Sequence, residues 1–379
     1  MKRILINPFY LYSLVWSFTI ILYLFKIINI FPKLSLDLLI FLIFSIIFSI
    51  FLGKNLKIKK IKINRTKEED YIFVIILIGW ILTFLYEGKI PLLEAINKTG
   101  YMYVDFKGIK TFSVIIWTLT TYHSIKSFIQ YIVFKEWKYL FYIFIEILFL
   151  VLILRRGPIL IIVVAFCLSY LFFKFKIKNL IFYFTFGTLL LYVFGILGNI
   201  RHGYSPLNTS MLKQIIYLNT EKSIFDPLLW GYTYITSPLS NLQYNISINN
   251  INFNLFNYIT LNLLPDFISK RFNVINTVKL LIPNLTVGTI YDNSYITLGI
   301  IGIYTSCLFY FIFNYLYLKF LIKTEYFMIG TIILCLINIF SIFDNMYTFS
   351  GLSFCLVYPI FFIIFKKFLL LNSFKIIKR

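Results

Sequence analysis

Apolar runs of 18 or more residues recur along this chain, and nothing constrains its fold more. One of them includes "LLIFLIFSIIFSIFL" at residues 38–52. Runs of that length match the hydrocarbon thickness of a bilayer when wound as α-helix. A β-barrel would need alternating segments of about ten residues, and these runs are continuous. In lipid a helix satisfies its own backbone groups, so the expected fold class is all-α, a polytopic membrane protein. Composition agrees: 60% of the 379 residues are hydrophobic and only 13% are charged. That charge is too sparse to solvate the surface of a soluble globule this large.

Ten spans are expected, at 9–30, 36–53, 71–87, 111–134, 138–154, 158–173, 180–198, 293–318, 326–343 and 350–366. They form one integral membrane domain over 1–379. With the N-terminus in the cytoplasm, the cytoplasmic segments collect 21 of the 36 lysines and arginines. The densest set is Lys54, Lys57, Lys59, Lys60, Lys62, Arg65 and Lys67. This satisfies the positive-inside rule and places both termini in the cytoplasm. The net charge of +21 is explained by this asymmetry, so no nucleic-acid partner is expected. Lys2 and Arg3 precede an apolar stretch with no small-residue cleavage site, which reads as a first span rather than a signal peptide. Cys167, Cys307, Cys335 and Cys355 lie within apolar runs without metal-ligand spacing and read as packing residues.

Two segments fall on the far side of the membrane. One is 88–110. The other, 199–292, is long enough to be functional rather than a connector. It holds five prolines, many asparagines and tyrosines, and amphipathic stretches suited to short helices on the membrane face. Its amides and aromatic rings would suit a sugar-binding surface; codon drift would give the same composition.

Within this frame "LILRRGPILI" at 152–161 sets Arg155 and Arg156 in the turn between the fifth and sixth spans, at the outer mouth. Pro158 suits the first turn of the following helix. Snorkelling interfacial arginines are one reading; a paired guanidinium site for a phosphate or diphosphate is the other. "GNIRHGYSP" at 198–206 brings Arg201 and His202 to the same level. His202 is one of two histidines and suits a base near neutral pH. The other, His123, lies inside the fourth span and reads as a helix-packing residue. Acidic residues of the large loop are few: Glu221, Asp226, Asp266 and Asp292. No nucleotide-binding loop, HExxH or cysteine–histidine set is present. The first external connection, "NIFPKLS", lacks an acidic pair, so metal-free, cofactor-free chemistry is expected.

"EGKIPLL" at 87–93, "RRGP" at 155–158, "GNIRHG" at 198–203, "YITSPLSNL" at 234–242 and "VGTIYDNSYITLGIIG" at 287–302 follow one another in order. With that order, the chain resembles the O-antigen polymerase (Wzy-type) family over most of residues 70–320. The resemblance implies a GT-C-like membrane glycosyltransferase with one large periplasmic loop, in the bacterial inner membrane. Its substrates would be two undecaprenyl-diphosphate-linked oligosaccharides, donor and acceptor, with a chain-length regulator as a candidate partner. The family's periplasmic arginines would correspond to Arg155, Arg156 and Arg201. Guanidinium groups there would stabilise charge building on the diphosphate leaving group. His202 or Asp226 would receive the acceptor proton. Tyr234, Asn241, Arg271, Tyr291 and Asp292 stand as substrate-binding candidates. Related ligases place a catalytic histidine deeper in the loop than His202. An O-antigen ligase and a lipid-linked oligosaccharide flippase are the rival readings; a flippase would be expected to show pseudo-repeated halves and no dominant loop.

Overall fold

The computed structural model describes residues 7–56, 63, 68–97, 99–101, 105–174, 205–216, 226–272, 274 and 277–377, with scattered positions between 181 and 199. Every regular element among them is helical. In chain order these are α1 (Pro8–Leu24), α2 (Leu36–Asn55), α3 (Glu68–Glu87), α4 (Pro91–Ile96), α5 (Phe112–Phe134), α6 (Trp137–Leu152) and α7 (Arg156–Lys174). Then come α8 (Ser210–Ile215), α9 (Leu228–Ser247), α10 (Leu255–Asn262), α11 (Asp266–Ser269), a 3-10 turn (Lys270–Phe272), α12 (Asp292–Leu321), α13 (Phe327–Phe340) and α14 (Ser350–Ile377). Among the described residues five helices are long and apolar enough to cross a membrane: α2, α3, α12, Gly157–Lys174 of α7 and Ser350–Phe368 of α14. α1 and α13 are apolar but shorter.

The expected span at 111–134 does form a helix, α5, yet it is not among those five. The reason lies in its composition. Thr118, Thr120, Thr121, His123, Ser124, Lys126, Ser127 and Gln130 interrupt the apolar pattern, and all of them are buried. α3 shows the opposite design. It buries Ile72, Phe73, Ile76 and Trp80 and exposes Val74, Ile78, Ile81 and Leu85. A helix apolar all round suits a protein interior on one side and lipid on the other.

The chain falls into two compact units. Unit 1 comprises residues 1–57, 175–315 and 337–348. Phe9, Tyr12, Trp16, Ile20 and Tyr23 recur every three or four residues along α1 and form one buried stripe. They meet Leu38, Phe41 and Leu42 of α2 and Tyr291, Tyr295 and Phe311 of α12 and its approach. The kink in α12 falls at Gly299, whose φ of 63° and ψ of −150° belong to a region only glycine enters freely.

The long segment expected to carry short helices does hold the short α8, α10 and α11, and it also contains the 20-residue α9, whose Leu239 and Leu242 are fully buried in this core. After α13, Asp344 is largely buried in the same unit. Burial, with Asp266 nearby, raises its carboxyl above the usual range. The backbone N–H of Asn345 donates to its Oδ1 at 2.7 Å, an acceptor an amide also supplies. A raised carboxyl loses native stability as pH climbs past its unfolded value of about 3.9. Asp344→Asn is therefore expected to raise the melting temperature at neutral pH, with the gain vanishing in acid. Melting curves at pH 4 and pH 7 check this.

Unit 2 comprises residues 58–174, 316–336 and 349–379. α5 is its central helix, packed against α3, α6, α7 and α14. Its apolar core joins Ile76 and Trp80 of α3 to Ile116 of α5, Leu150 of α6 and Ile162 of α7.

Candidate functional site

Arg155 sits where α6 ends. Leu154 takes the left-handed conformation, φ 57°; its N–H donates to Val151 O at 2.9 Å, and that of Arg155 to Leu150 O at 3.2 Å. These are the two hydrogen bonds of a Schellman cap, with leucine where glycine is usual. The cap turns the chain so that the Arg155 guanidinium lies over the Trp117 ring of α5, 3.5 Å from its centroid. This is a cation–π contact, which holds the guanidinium at a fixed place beside α5. α7 begins at the next residue, Arg156. The side chain of Arg156 lies outside the described residues, as do Arg201 and His202.

The same end of unit 2 carries the segment after α3. Glu87 accepts a hydrogen bond from the backbone N–H of Gly108 and one from the Tyr101 hydroxyl at 3.4 Å, closing the 88–110 connection. Burial, with Glu87 beside it, raises the Tyr101 phenol above its usual value. Lys89 lies 5.2 Å from the Tyr101 ring centroid.

In unit 1 several other candidates hold backbone rather than facing a cavity. Asn241 Nδ2 donates to Leu285 O and Val287 O, each at 2.9 Å, and its Oδ1 accepts from Leu281 N at 3.0 Å. One helical turn on, Asn245 does the same for Lys279, donating at 2.8 Å and accepting at 3.1 Å. The two amides hold the irregular 279–287 stretch, which turns at 281–284, against α9. The Tyr291 hydroxyl is buried against that of Tyr12 at 2.6 Å. Asp292 Oδ2 accepts from the backbone N–H of Thr289, capping the turn into α12. Asp226, the candidate base, forms a buried pair with Lys213 at 2.7 Å and accepts from the Thr209 hydroxyl at 3.0 Å. Tyr234 lies half-buried beside Trp230, and Arg271 is exposed on the 3-10 turn. Of "GNIRHG", Asn199 is described. It donates to Pro206 O and accepts from Trp230 Nε1, both at 2.8 Å, anchoring the start of the large loop.

The densest chemistry lies on α5, where His123 was expected only to pack. Along the buried face of α5, Lys126 Nζ pairs with Glu68 at 2.9 Å and Glu69 at 3.3 Å. Gln130 donates to Glu69 at 3.1 Å. Tyr326 donates to Glu68 at 3.0 Å, and Lys366 bridges Glu68, at 3.2 Å, and Glu325. Deeper in, His123 contacts Glu146 through Nδ1 and the Glu69 carbonyl through Nε2, the latter at 3.0 Å. Ser124 donates to the other Glu146 oxygen. His123, expected to be a packing residue, does stack beside Phe73 but is also hydrogen-bonded on both ring nitrogens. The available signal was a lone charge inside an apolar run, as in "YIFIEILFL" around Glu146. Among the described residues no group of three or more His, Cys, Asp or Glu is arranged to hold a metal ion. No protein-family model matches this chain, and no curated protein or solved structure matches it.

Proposed function

We propose that this chain is a metal-independent glycosyltransferase of the bacterial inner membrane that polymerises undecaprenyl-diphosphate-linked oligosaccharide repeat units. It would cross the membrane ten times, with both termini in the cytoplasm and catalysis on the periplasmic face. The observation that carries the reading is the Arg155 seat. An interfacial turn fixes one arginine on an aromatic ring with a second arginine next in sequence, where a diphosphate leaving group would need charge. Within unit 2 the lysines occupy both ends. Lys126, Lys138, Lys174 and Lys366 lie toward the end opposite Arg155, and Lys89, Lys107 and Lys110 in the 88–110 connection at its own end. The orientation therefore rests on the sequence-wide bias of basic residues. Arg155 and Arg156 would hold the diphosphate, with Arg201 as the third cation. His202 would take the acceptor hydroxyl proton, because Asp226 is already committed to Lys213.

Arg155→Ala is expected to abolish long polymer while single repeat units still reach the cell surface. Arg155→Lys, which keeps charge but loses the bidentate fork, should leave short chains. Sugar-stained gels of surface polysaccharide, with immunoblots for the membrane-inserted protein, read both outcomes. Normal chain lengths at normal protein level would sink the assignment. A flippase is the second reading, favoured by the buried ionisable face of α5, since such residues mark transport paths. It predicts that the same variants lose surface oligosaccharide altogether.

A further inference from the structure

His123 lies midway along α5 with no solvent exposure, and its two ring nitrogens face different partners. Nε2 is 3.0 Å from the Glu69 carbonyl oxygen. A carbonyl only accepts, so Nε2 carries a hydrogen. The Ser127 hydroxyl stands farther from that nitrogen, at 3.4 Å, and does not reverse the assignment. With Nε2 protonated, the contact between Nδ1 and Glu146 Oε1 requires a second proton. The pair is then an imidazolium facing a carboxylate, or a neutral ring facing a carboxylic acid. Without that proton a nitrogen lone pair would face a carboxylate oxygen in a site closed to water, which is costly.

Charged groups face the pair from several of the elements packed around it. α3 contributes Glu68, Glu69 and Asp70; α6 contributes Glu146, with Lys138 and Tyr142 holding Asp70. α5 itself supplies Lys126, α14 supplies Lys366, and Glu325 precedes α13. α7 is charged only at its two ends, Arg156 and Lys174. With Asp70 and Lys138 neutralising each other, four carboxylates (Glu68, Glu69, Glu146 and Glu325) face two ammonium groups (Lys126 and Lys366).

We infer that His123 and Glu146 form a proton-binding site inside unit 2, holding one exchangeable proton between Nδ1 and Oε1. On the Nε2 side, Gln130 and Lys126, which bond the Glu69 carboxylate, also line a cleft with Glu325, Tyr326 and Ile329. Uptake forms one N–H or O–H bond and breaks only the bond of the donating hydronium. The site stands independently of the polymerase reading.

The test uses the full-length chain in detergent with 15N-labelled histidine, and infrared spectra of the same samples. The chain has two histidines, so His202→Gln leaves the His123 signals alone. Two results support the site: both ring nitrogens protonated, or Nε2 alone protonated with a carboxylic-acid band that shifts in D2O and is lost in Glu146→Gln. Should that variant fail to fold, Ser124→Ala identifies the band by shifting it, because the hydroxyl donates to Glu146. Three results overturn it: hydrogen on Nδ1 with Nε2 bare, Nε2 protonated with no acid band, or an acid band indifferent to D2O.

Discussion

Lys126→Ala is expected to lower the unfolding free energy by about 3–5 kcal/mol, the cost of breaking a buried ion pair from one side. The lysine ammonium bridges Glu68 and Glu69, and the three side chains are 10%, 14% and 0% exposed. The two carboxylates do not suffer equally. Glu68 keeps Lys366 at 3.2 Å and the Tyr326 hydroxyl at 3.0 Å. Glu69 loses the Lys126 ammonium at 3.3 Å and keeps the Gln130 amide, which does not replace a full charge. The ammonium also lies 5.2 Å from the Tyr326 ring centroid and 5.6 Å from that of Phe362, so some cation–π attraction goes with it. Lys126→Ala with Glu69→Gln should recover most of the loss, since an amide in place of Glu69 removes the stranded charge. Thermal unfolding of the single and double variants in detergent measures the difference. Equal destabilisation of the two would show that the cost is lost packing rather than an orphaned carboxylate.

The same residues show why the helices were legible in the sequence and the buried network was not. A bilayer dictates the length and composition of what crosses it, so apolar runs announce α2, α3 and α12 without any tertiary information. α5 has the right length, but its character depends on partners far away in sequence. Lys126 is 58 residues from Glu68, and His123 is 23 from Glu146. A lone histidine or lysine in an apolar helix does not say which carboxylates will meet it. Arg155 presents a like case. Its position in a turn was readable from the flanking spans and Pro158, whereas the Trp117 seat 38 residues earlier was not. The asparagines of the large loop were the most ambiguous signal. As amides they suit a carbohydrate hydroxyl and a backbone carbonyl equally well, and hydrogen-bonding capacity alone does not distinguish the two.

For Asn241 that choice can be made by experiment. Asn241→Ala is expected to cost about 3–5 kcal/mol, since each buried group left without its partner costs about 1–3 kcal/mol. The alanine strands the carbonyls of Leu285 and Val287 and the N–H of Leu281, three groups of one irregular segment. Asn241→Asp keeps the acceptor for Leu281 but loses both donors and turns a carboxylate toward two carbonyls, so it should fare no better. Asn245→Ala, one turn along, breaks the paired bonds to Lys279 and should give a loss of similar kind, because both amides hold the same stretch. Direct sugar recognition by Asn241 predicts the reverse pattern. The alanine variant would then melt like the parent protein and fail only in polymer formation, and Asn245→Ala would be silent in both assays. Melting temperature and surface polymer length, measured on both alanine variants, separate the two. A clamp moves the melting point at both positions and a sugar contact moves activity at one. Coupled effects of the two substitutions in a double-mutant cycle would further tie them to one segment, since independent sites add.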